Sequence, residues 1–137
     1  MADIIKKVGY FAIEVTDKPG EGFKILNLLG QAGVNLLAFS GFPRGRRAQL
    51  DFVPEDPALF RKVLTKAKLK ARPKKVGFLV TGKDRPGAVA NLVQKLVDSN
   101  INITAMDAVG AGGGRYGAIF WVKSKDINKA AKALKAV

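Results

Sequence analysis

The chain has 137 residues, of which 47% are hydrophobic and 26% charged, a composition typical of a globular protein. It contains no cysteine and no histidine. This absence excludes disulfides, thiolate nucleophiles, histidine general bases and metal sites built from Cys or His ligands. This makes an enzyme the less favoured class, and we predict no catalytic residue, no metal and no cofactor.

The charge is strongly positive, since 24 Lys and Arg stand against 11 Asp and Glu, a formal net charge of +13. Such a balance is typical of proteins with an anionic partner: nucleic acid, an anionic membrane or an acidic metabolite. The charge is spread over the whole chain, except that residues 57–83 hold nine basic side chains and no carboxylate. We interpret this stretch as a solvated helix face and a linker, with a binding patch as the alternative.

No segment has the character of a signal peptide or a membrane span. The first residues, MADIIKK, are too short and too charged for a signal-peptide core. The longest uncharged run, residues 25–43, contains Asn, Gln, Gly and Pro and would make a poor span. We expect a soluble, cytoplasmic protein that does not bind a membrane.

The sequence repeats itself. Residues 17–20, DKPG, match residues 84–87, DRPG, and residues 33–36, GVNL, match residues 100–103, NINI, at the same offset of 67. Such a period indicates two similar structural units. We predict a first domain over residues 1–72 and a second over residues 73–137.

In the first copy, β-branched and aromatic residues predict strands, and the Asp-x-Pro-Gly turn precedes a helix. Gly33 is placed to end that helix in a left-handed conformation. Asp56 and Pro57 are typical of the start of a second helix. The predicted elements are, in chain order, strand 8–15, helix 20–32, strands 34–42 and 48–53, a helix from Asp56, and a short fourth strand, 69–76.

The second copy predicts strand 76–81, a helix, strands 101–109 and 116–122, and a last helix from Asp126. Asn100 takes the place of Gly33 as the residue that ends the first helix. The glycine-rich residues 110–114 join strand to strand without a phosphate-loop ending, so we interpret them as a hairpin. An apolar stripe on the first helix of this copy should face the core: Val89, Leu92, Val93, Leu96 and Val97.

These patterns predict an α+β fold of two tandem ferredoxin-like βαββαβ units, each an antiparallel sheet with its helices on one face. The second copy lacks residues for a last strand, so either its sheet is incomplete or another segment, such as Ile4-Ile5, completes it. Phe23 and Leu28 lie outside the apolar stripe of the first helix. They predict a further contact, with the other copy or another subunit, and we expect a homodimer with an extended sheet.

The run DRPGAVA at residues 84–90, followed by LV, LV and NINI, resembles an ACT domain, a small regulatory module that senses amino acids. The first copy resembles this family nearly as well, through residues 17–20 and 32–36. The resemblance covers the chain from Val8 onward. It implies a regulatory protein of two ACT-like domains, with a small-molecule effector, an amino acid or a similar compound, as its partner.

The resemblance also implies a ligand site where the first helix of a domain meets the second strand of a neighbouring domain. Its predicted residues are Asp17, Lys18, Gly20, Asn35, Asp84, Arg85, Gly87 and Asn102. The start of a helix offers unpaired N–H groups to a carboxylate, and an Asn amide both donates and accepts. As alternatives, Asp17 and Asp84 cap their helices, and the two Asn side chains bond their own turns.

Two other functions remain open from the sequence. RNA-recognition modules share this topology and carry stacking aromatics on a strand, which Tyr116, Ala118 and Phe120 resemble faintly. Nucleic acid is the less favoured partner, because the basic residue is not followed by the expected glycine. The other alternative is a dimerisation module without a ligand.

Overall fold

The computed structural model describes residues 3–137, which form an antiparallel α+β fold and so confirm the predicted class. The strands are β1 (Ile4–Thr16), β2 (Leu36–Arg44), β3 (Arg47–Pro54), β4 (Lys75–Lys83), β5 (Ile103–Gly112) and β6 (Arg115–Val122). The helices are α1 (Glu21–Gln31), α2 (Pro57–Lys66), α3 (Ala88–Asp98) and α4 (Ile127–Leu134), with a short 3-10 turn at Ser124–Asp126 before α4. Within residues 3–137, no helix is long and apolar enough to cross a membrane.

The contacts of the chain divide it into two units. The first is Gly9–Lys75, in which β3 lies between β2 and β1. The second contains Val76–Val137 together with the beginning of β1, up to Val8, and has the strand order β1-β4-β6-β5. Strand β3 pairs antiparallel with β1 and β2, and β6 does so with β4 and β5. Strand β1 therefore contributes residues to both units.

The core of the first unit is built around stacked phenylalanines. Phe52 and Phe60 are fully buried, with ring centroids 5.6 Å apart, and the ring of Phe11 lies 4.9 Å from that of Phe60. Helix α1 turns Ile25 and Leu29, one turn apart, into this core. Phe23 on the same helix is 66% exposed. The second apolar side predicted for this helix is thus open on the single chain.

The core of the second unit includes a residue from the other end of the sequence. Ile5 is buried among Phe78, Leu92 and Phe120. The backbone of Val137 bonds the same segment, because its N–H donates to Ile5 O at 2.9 Å and its carbonyl accepts from Lys7 N at 3.3 Å. The prediction that Ile4-Ile5 completes the second sheet is confirmed.

Two predictions about local structure are wrong. Residues 69–74 form no strand: Arg72 N donates to Ala12 O at 2.9 Å, but Pro73 has no N–H to extend the ladder. Helix α3 buries Ala88, Leu92 and Leu96, whereas Val97 is 59% exposed and Val89 is exposed as well. A spacing of four keeps the three buried residues nearly in line, while Val97 falls on the flank of the helix.

The predicted turns are confirmed. Gly33 and Asn100 follow α1 and α3 with φ of 81° and 57°. Gly113 and Gly114 form the tip of the β5–β6 hairpin, both with positive φ, as a two-residue turn of type I′ requires. Asp56 caps α2 by accepting a hydrogen bond from Leu59 N at 3.2 Å.

The register also refines the repeat. Phe11 pairs with Phe52 in the first unit, and Phe78 pairs with Phe120 in the second, so the offset is 67 on one strand and 68 on the other. The change arises in the β5–β6 hairpin, where the pairing shifts between Gly110 and Gly112. An extra residue in the longer hairpin accounts for the shift.

Candidate functional site

The second unit has a cavity of about 400 Å³ at the start of α3. Asp84, Arg85 and Gly87 line it from the turn between β4 and α3. The first residues of α3, the end of β5 around Val109, and Tyr116 of β6 form the rest of the wall. The structure therefore brings together, around one cavity, three residues that the sequence predicted for the site.

The start of α3 is left without a side-chain cap. Gly87 is the N-cap residue, with φ of 81°, and no side chain bonds the first turn, so the interpretation of Asp84 as a cap is wrong. The first intrahelical bond is donated by Asn91 N to Gly87 O at 2.9 Å. In the part of the chain that the structure describes, the N–H groups of Val89 and Ala90 have no acceptor. A helix start of this kind attracts an anion such as a carboxylate.

The turn is fixed by hydrogen bonds to its neighbours. Asp84 N donates to Gly114 O at 2.9 Å, which ties the turn to the β5–β6 hairpin. The guanidinium of Arg85 donates to Lys83 O at 2.7 Å and lies 3.4 Å from Asp3 Oδ1. The wall of the cavity is thus held in place before any ligand arrives.

Tyr116 lies behind this turn and is almost fully buried. Its hydroxyl donates to Asp3 Oδ2 at 2.8 Å. Burial, followed by the hydrogen bond to Asp3 and the charge of that carboxylate, raises the pKa of Tyr116 to about 12, while Arg85 acts in the opposite direction. Tyr116 therefore stays a neutral hydrogen-bond donor at every physiological pH.

The two predicted Asn residues lie elsewhere. Asn102 is exposed just before β5 and is not part of the cavity wall. Asn35 is exposed just before β2, and its backbone carbonyl accepts from Glu55 N at 2.9 Å. Among residues 3–137, neither Asn side chain has a hydrogen-bond partner, so the interpretation that they bond their own turns is wrong.

The equivalent turn of the first unit is arranged differently. Asp17, Lys18 and Gly20 are exposed, and Gly20 caps α1 with φ of 88° and no side-chain bond, so Asp17 is not a cap either. Beside this turn the buried side chain of Leu50 fills the space that two glycines leave. A methyl group at Gly41 would stand 3.2 Å from Leu50 Cδ2, and one at Gly22 would stand 3.6 Å from Leu50 Cδ1.

The strand register gives Ala108 as the counterpart of Gly41 and Ala118 as the counterpart of Leu50. The offset of 67 gives Val89 as the counterpart of Gly22. In the first unit the large side chain, Leu50, lies on strand β3, whereas in the second unit the large side chain, Val89, lies on helix α3. The two turns, nearly identical in sequence, are therefore packed differently.

Sequence reasoning missed the roles of Tyr116 and Asp3. The sequence predicts for Tyr116 only the base-stacking role that it would share with Ala118 and Phe120. All three are buried in the second core, so they cannot stack on a base. The sequence around Asp3 does not indicate its role, because its partners lie more than 80 residues away in the sequence.

Comparison with known proteins identifies the second unit. Residues 78–137 match the model of the ACT domain family. The resemblance of residues 84–103 to this family is thereby confirmed for the second unit. No curated protein sequence matches the chain significantly.

Several solved structures have a similar fold. A protein from Bacteroides thetaiotaomicron matches with a TM-score of 0.78 and 18% identity, over 97% of this chain and 88% of that one. The ligand-free regulatory subunit of aspartate kinase from Thermus thermophilus matches with a TM-score of 0.66 and 15% identity, over 98% and 95%. The corresponding subunit from Thermus flavus gives 0.57 and 19%, over 98% and 95%. At these identities the likeness concerns the fold.

Proposed function

We propose that this protein is a non-catalytic regulatory module of two tandem ACT-like domains that binds an amino acid or a similar small zwitterion. The observation that carries the proposal is the cavity at the uncapped start of α3. It lies at the turn that the family resemblance implies. The similar fold of aspartate kinase regulatory subunits supports a regulatory role.

The wall of the cavity suits a zwitterion. The free N–H groups of Val89 and Ala90 and the guanidinium of Arg85 attract a carboxylate. The carboxylate of Asp84 attracts an ammonium group. A volume of about 400 Å³ is within the range of small-molecule sites. The carboxylate and the ammonium group of an amino acid are close enough together to contact both parts of this wall.

We further propose that the protein acts as a homodimer and that the exposed Asn102 completes the site of a neighbouring subunit. Exposed apolar side chains support an interface: Phe23, Leu37, Phe39, Phe42, Val97 and Val109. A dimerisation module without a ligand would use the same surface, so ligand binding is the observation that separates the two functions.

Titration calorimetry of the full chain against the individual amino acids tests the proposal. We expect one of them to bind, and Val89→Trp to abolish binding by filling the cavity. Lys95→Trp is the matched control, because it places the same side chain at an exposed position of the same helix, outside the cavity and the apolar interface residues. Binding that survives Val89→Trp would place the ligand elsewhere, and no binding by any amino acid would contradict the function.

A further inference from the structure

The first unit has a cavity of its own, of about 420 Å³, away from its Asp-Lys-Pro-Gly turn. It lies between the last turns of α2 and the irregular segment 69–74. Both parts belong to the basic stretch 57–83. The stretch is therefore more than a solvated helix face and a linker, because it forms the wall of a cavity.

The cavity combines an apolar floor with a basic rim. Phe11, Phe60, Leu64 and Leu69 contribute the floor. The rim carries four cations and no carboxylate: Arg61, Lys70, Arg72 and Lys74. Thr65 adds a hydroxyl group to the same wall. Small-molecule sites typically have such a composition, an apolar lining with a few convergent polar groups.

Most of the positive charge on the rim is unpaired. Within residues 3–137, Arg61, Lys70 and Lys74 form no ion pair with a carboxylate. Arg72 binds Glu14 at 2.6 Å, but two further arginines also approach that carboxylate, at 3.8 Å and 3.9 Å. The charge of Glu14 is shared among three cations, so it leaves the rim positive.

Two of the rim cations are held in position by packing. The guanidinium carbon of Arg61 lies 5.2 Å from the centre of the Phe11 ring, a cation–π contact that leaves its edge donors free. The stem of Lys74 crosses Gly9 so closely that a methyl group there would stand 2.8 Å from Lys74 Cδ. An anion would therefore meet cations that have already lost part of their side-chain freedom.

We propose that this cavity binds a small aromatic carboxylate, with its ring on the apolar floor and its carboxylate towards Arg61, Lys70 and Lys74. An inorganic anion would leave the floor without a partner. A polynucleotide needs an extended groove that follows its backbone, whereas this cavity spans only the space between α2 and the segment 69–74. A planar acid with a single negative group matches both the floor and the rim.

Calorimetry of the full chain with 2-naphthoate tests this site. The neutral 2-naphthamide keeps the ring without the charge, and inorganic phosphate keeps the charge without the ring. We expect naphthoate to bind at least about tenfold more tightly than either, because the amide lacks the charged hydrogen bond and phosphate buries no apolar surface. Equal binding of the amide, or equal or tighter binding of phosphate or a short RNA, would overturn the proposal.

Variants locate the site. Arg61→Gln should weaken naphthoate binding by about tenfold, and Thr65→Trp should abolish it by filling the cavity. Lys62→Gln is the matched control, since it removes the same charge from the next position on α2, outside the cavity. Equal weakening by Lys62→Gln would mean non-specific attraction and would overturn the proposal. Val89→Trp should leave naphthoate binding unchanged, which separates this site from the amino-acid site.

Discussion

The hydroxyl of Tyr116 donates a 2.8 Å hydrogen bond to Asp3, so residues 113 positions apart in the sequence meet beside the cavity of the second unit. Space for this pair exists because residue 82 is a glycine. A Cβ at Gly82 would collide with the Asp3 carboxylate and stand 2.8 Å from the Tyr116 ring. Asp3 also approaches Arg85 at 3.4 Å, so the pair joins the beginning of the chain to the wall of the proposed site.

The first prediction concerns the titration of Tyr116. Its pKa is raised from 10.0 to about 12. The contribution of Tyr116 to the free energy of unfolding should therefore be complete below about pH 10 and should be lost as the pH rises to about 12. Asp3→Asn should lower the pKa of Tyr116, because it removes a negative charge that opposes the phenolate. The pKa should stay above 10.0, since burial is the largest cause of the shift.

Phenolate absorbance as a function of pH measures this pKa. The chain has two tyrosines, so the titration is done in a Tyr10→Phe background, where Tyr116 alone contributes. An unchanged titration curve in Asp3→Asn would show that the hydrogen bond does not hold in solution.

The second prediction concerns Asp51, a buried carboxylate of the first unit. Burial raises its pKa above the ordinary 3.8, although the hydrogen bond from Gln49 and the charges of Lys75, Arg72 and Arg44 act in the opposite direction. The contribution of the protonated group to stability is therefore complete below about pH 4 and is lost as the pH rises through the raised pKa.

Asp51→Asn cannot ionise, yet its amide oxygen can still accept from Gln49. The free energy of unfolding of this variant relative to the parent protein should rise as the pH increases above about 4, and then become constant. Urea unfolding at a series of pH values measures the difference. A difference that stays constant, or that falls with increasing pH, would contradict the assignment.

Much of the fold could be predicted because local patterns agree with the tertiary structure. Strand residues such as Phe52 and Phe120 recur in β-rich runs, and turn residues such as Gly33 and Asn100 adopt the conformations for which they are favoured. The segment 69–74 is expected to be a strand because the βαββαβ topology of the first copy needs a fourth one, whereas its basic composition and Pro73 limit its hydrogen bonds.

The candidate site was less predictable, since its packing depends on distant residues. The motif located Asp84, Arg85 and Gly87, but nothing local to Tyr116 indicates that Asp3 accepts a hydrogen bond from its hydroxyl. The two turns have similar sequences, which do not indicate that the side chain of Leu50 fills the space beside the first turn. Whether a repeated motif forms a cavity is decided by residues on the neighbouring strands.

The third prediction concerns the strand that the beginning of the chain adds to the second unit. Ile5 is 3% exposed, and its neighbour Ile4 is 52% exposed. Ile5→Ala should reduce the free energy of unfolding by about 2–5 kcal/mol, because it leaves a cavity in the core. Ile4→Ala, the matched control, should change it by less than about 0.5 kcal/mol.

Urea unfolding followed by tryptophan fluorescence measures both variants. Trp121, the single tryptophan, belongs to the second unit and reports on that unit directly. Equal losses in the two variants would show that Ile5 is not part of the core in solution.

The last prediction concerns Asn102, which is exposed and has no side-chain partner among residues 3–137. Asn102→Ala should therefore leave the free energy of unfolding within about 0.5 kcal/mol of its original value. If Asn102 completes the site of a neighbouring subunit, the same change should weaken amino-acid binding by about 1–3 kcal/mol, the cost of a lost buried hydrogen bond. Calorimetry and urea unfolding measure the two quantities. Unchanged affinity would remove Asn102 from the site.

A mixture of two defective variants distinguishes a shared site from a site within one chain. In a heterodimer of Val89→Trp and Asn102→Ala, a shared site would combine an intact α3 from one subunit with an intact Asn102 from the other. Mixing the two variants under conditions that exchange subunits should then restore binding at about a quarter of all sites, because half of the dimers are mixed and each regains one site. A site within one chain would regain no full-affinity binding, because every chain in the mixture carries one of the two changes.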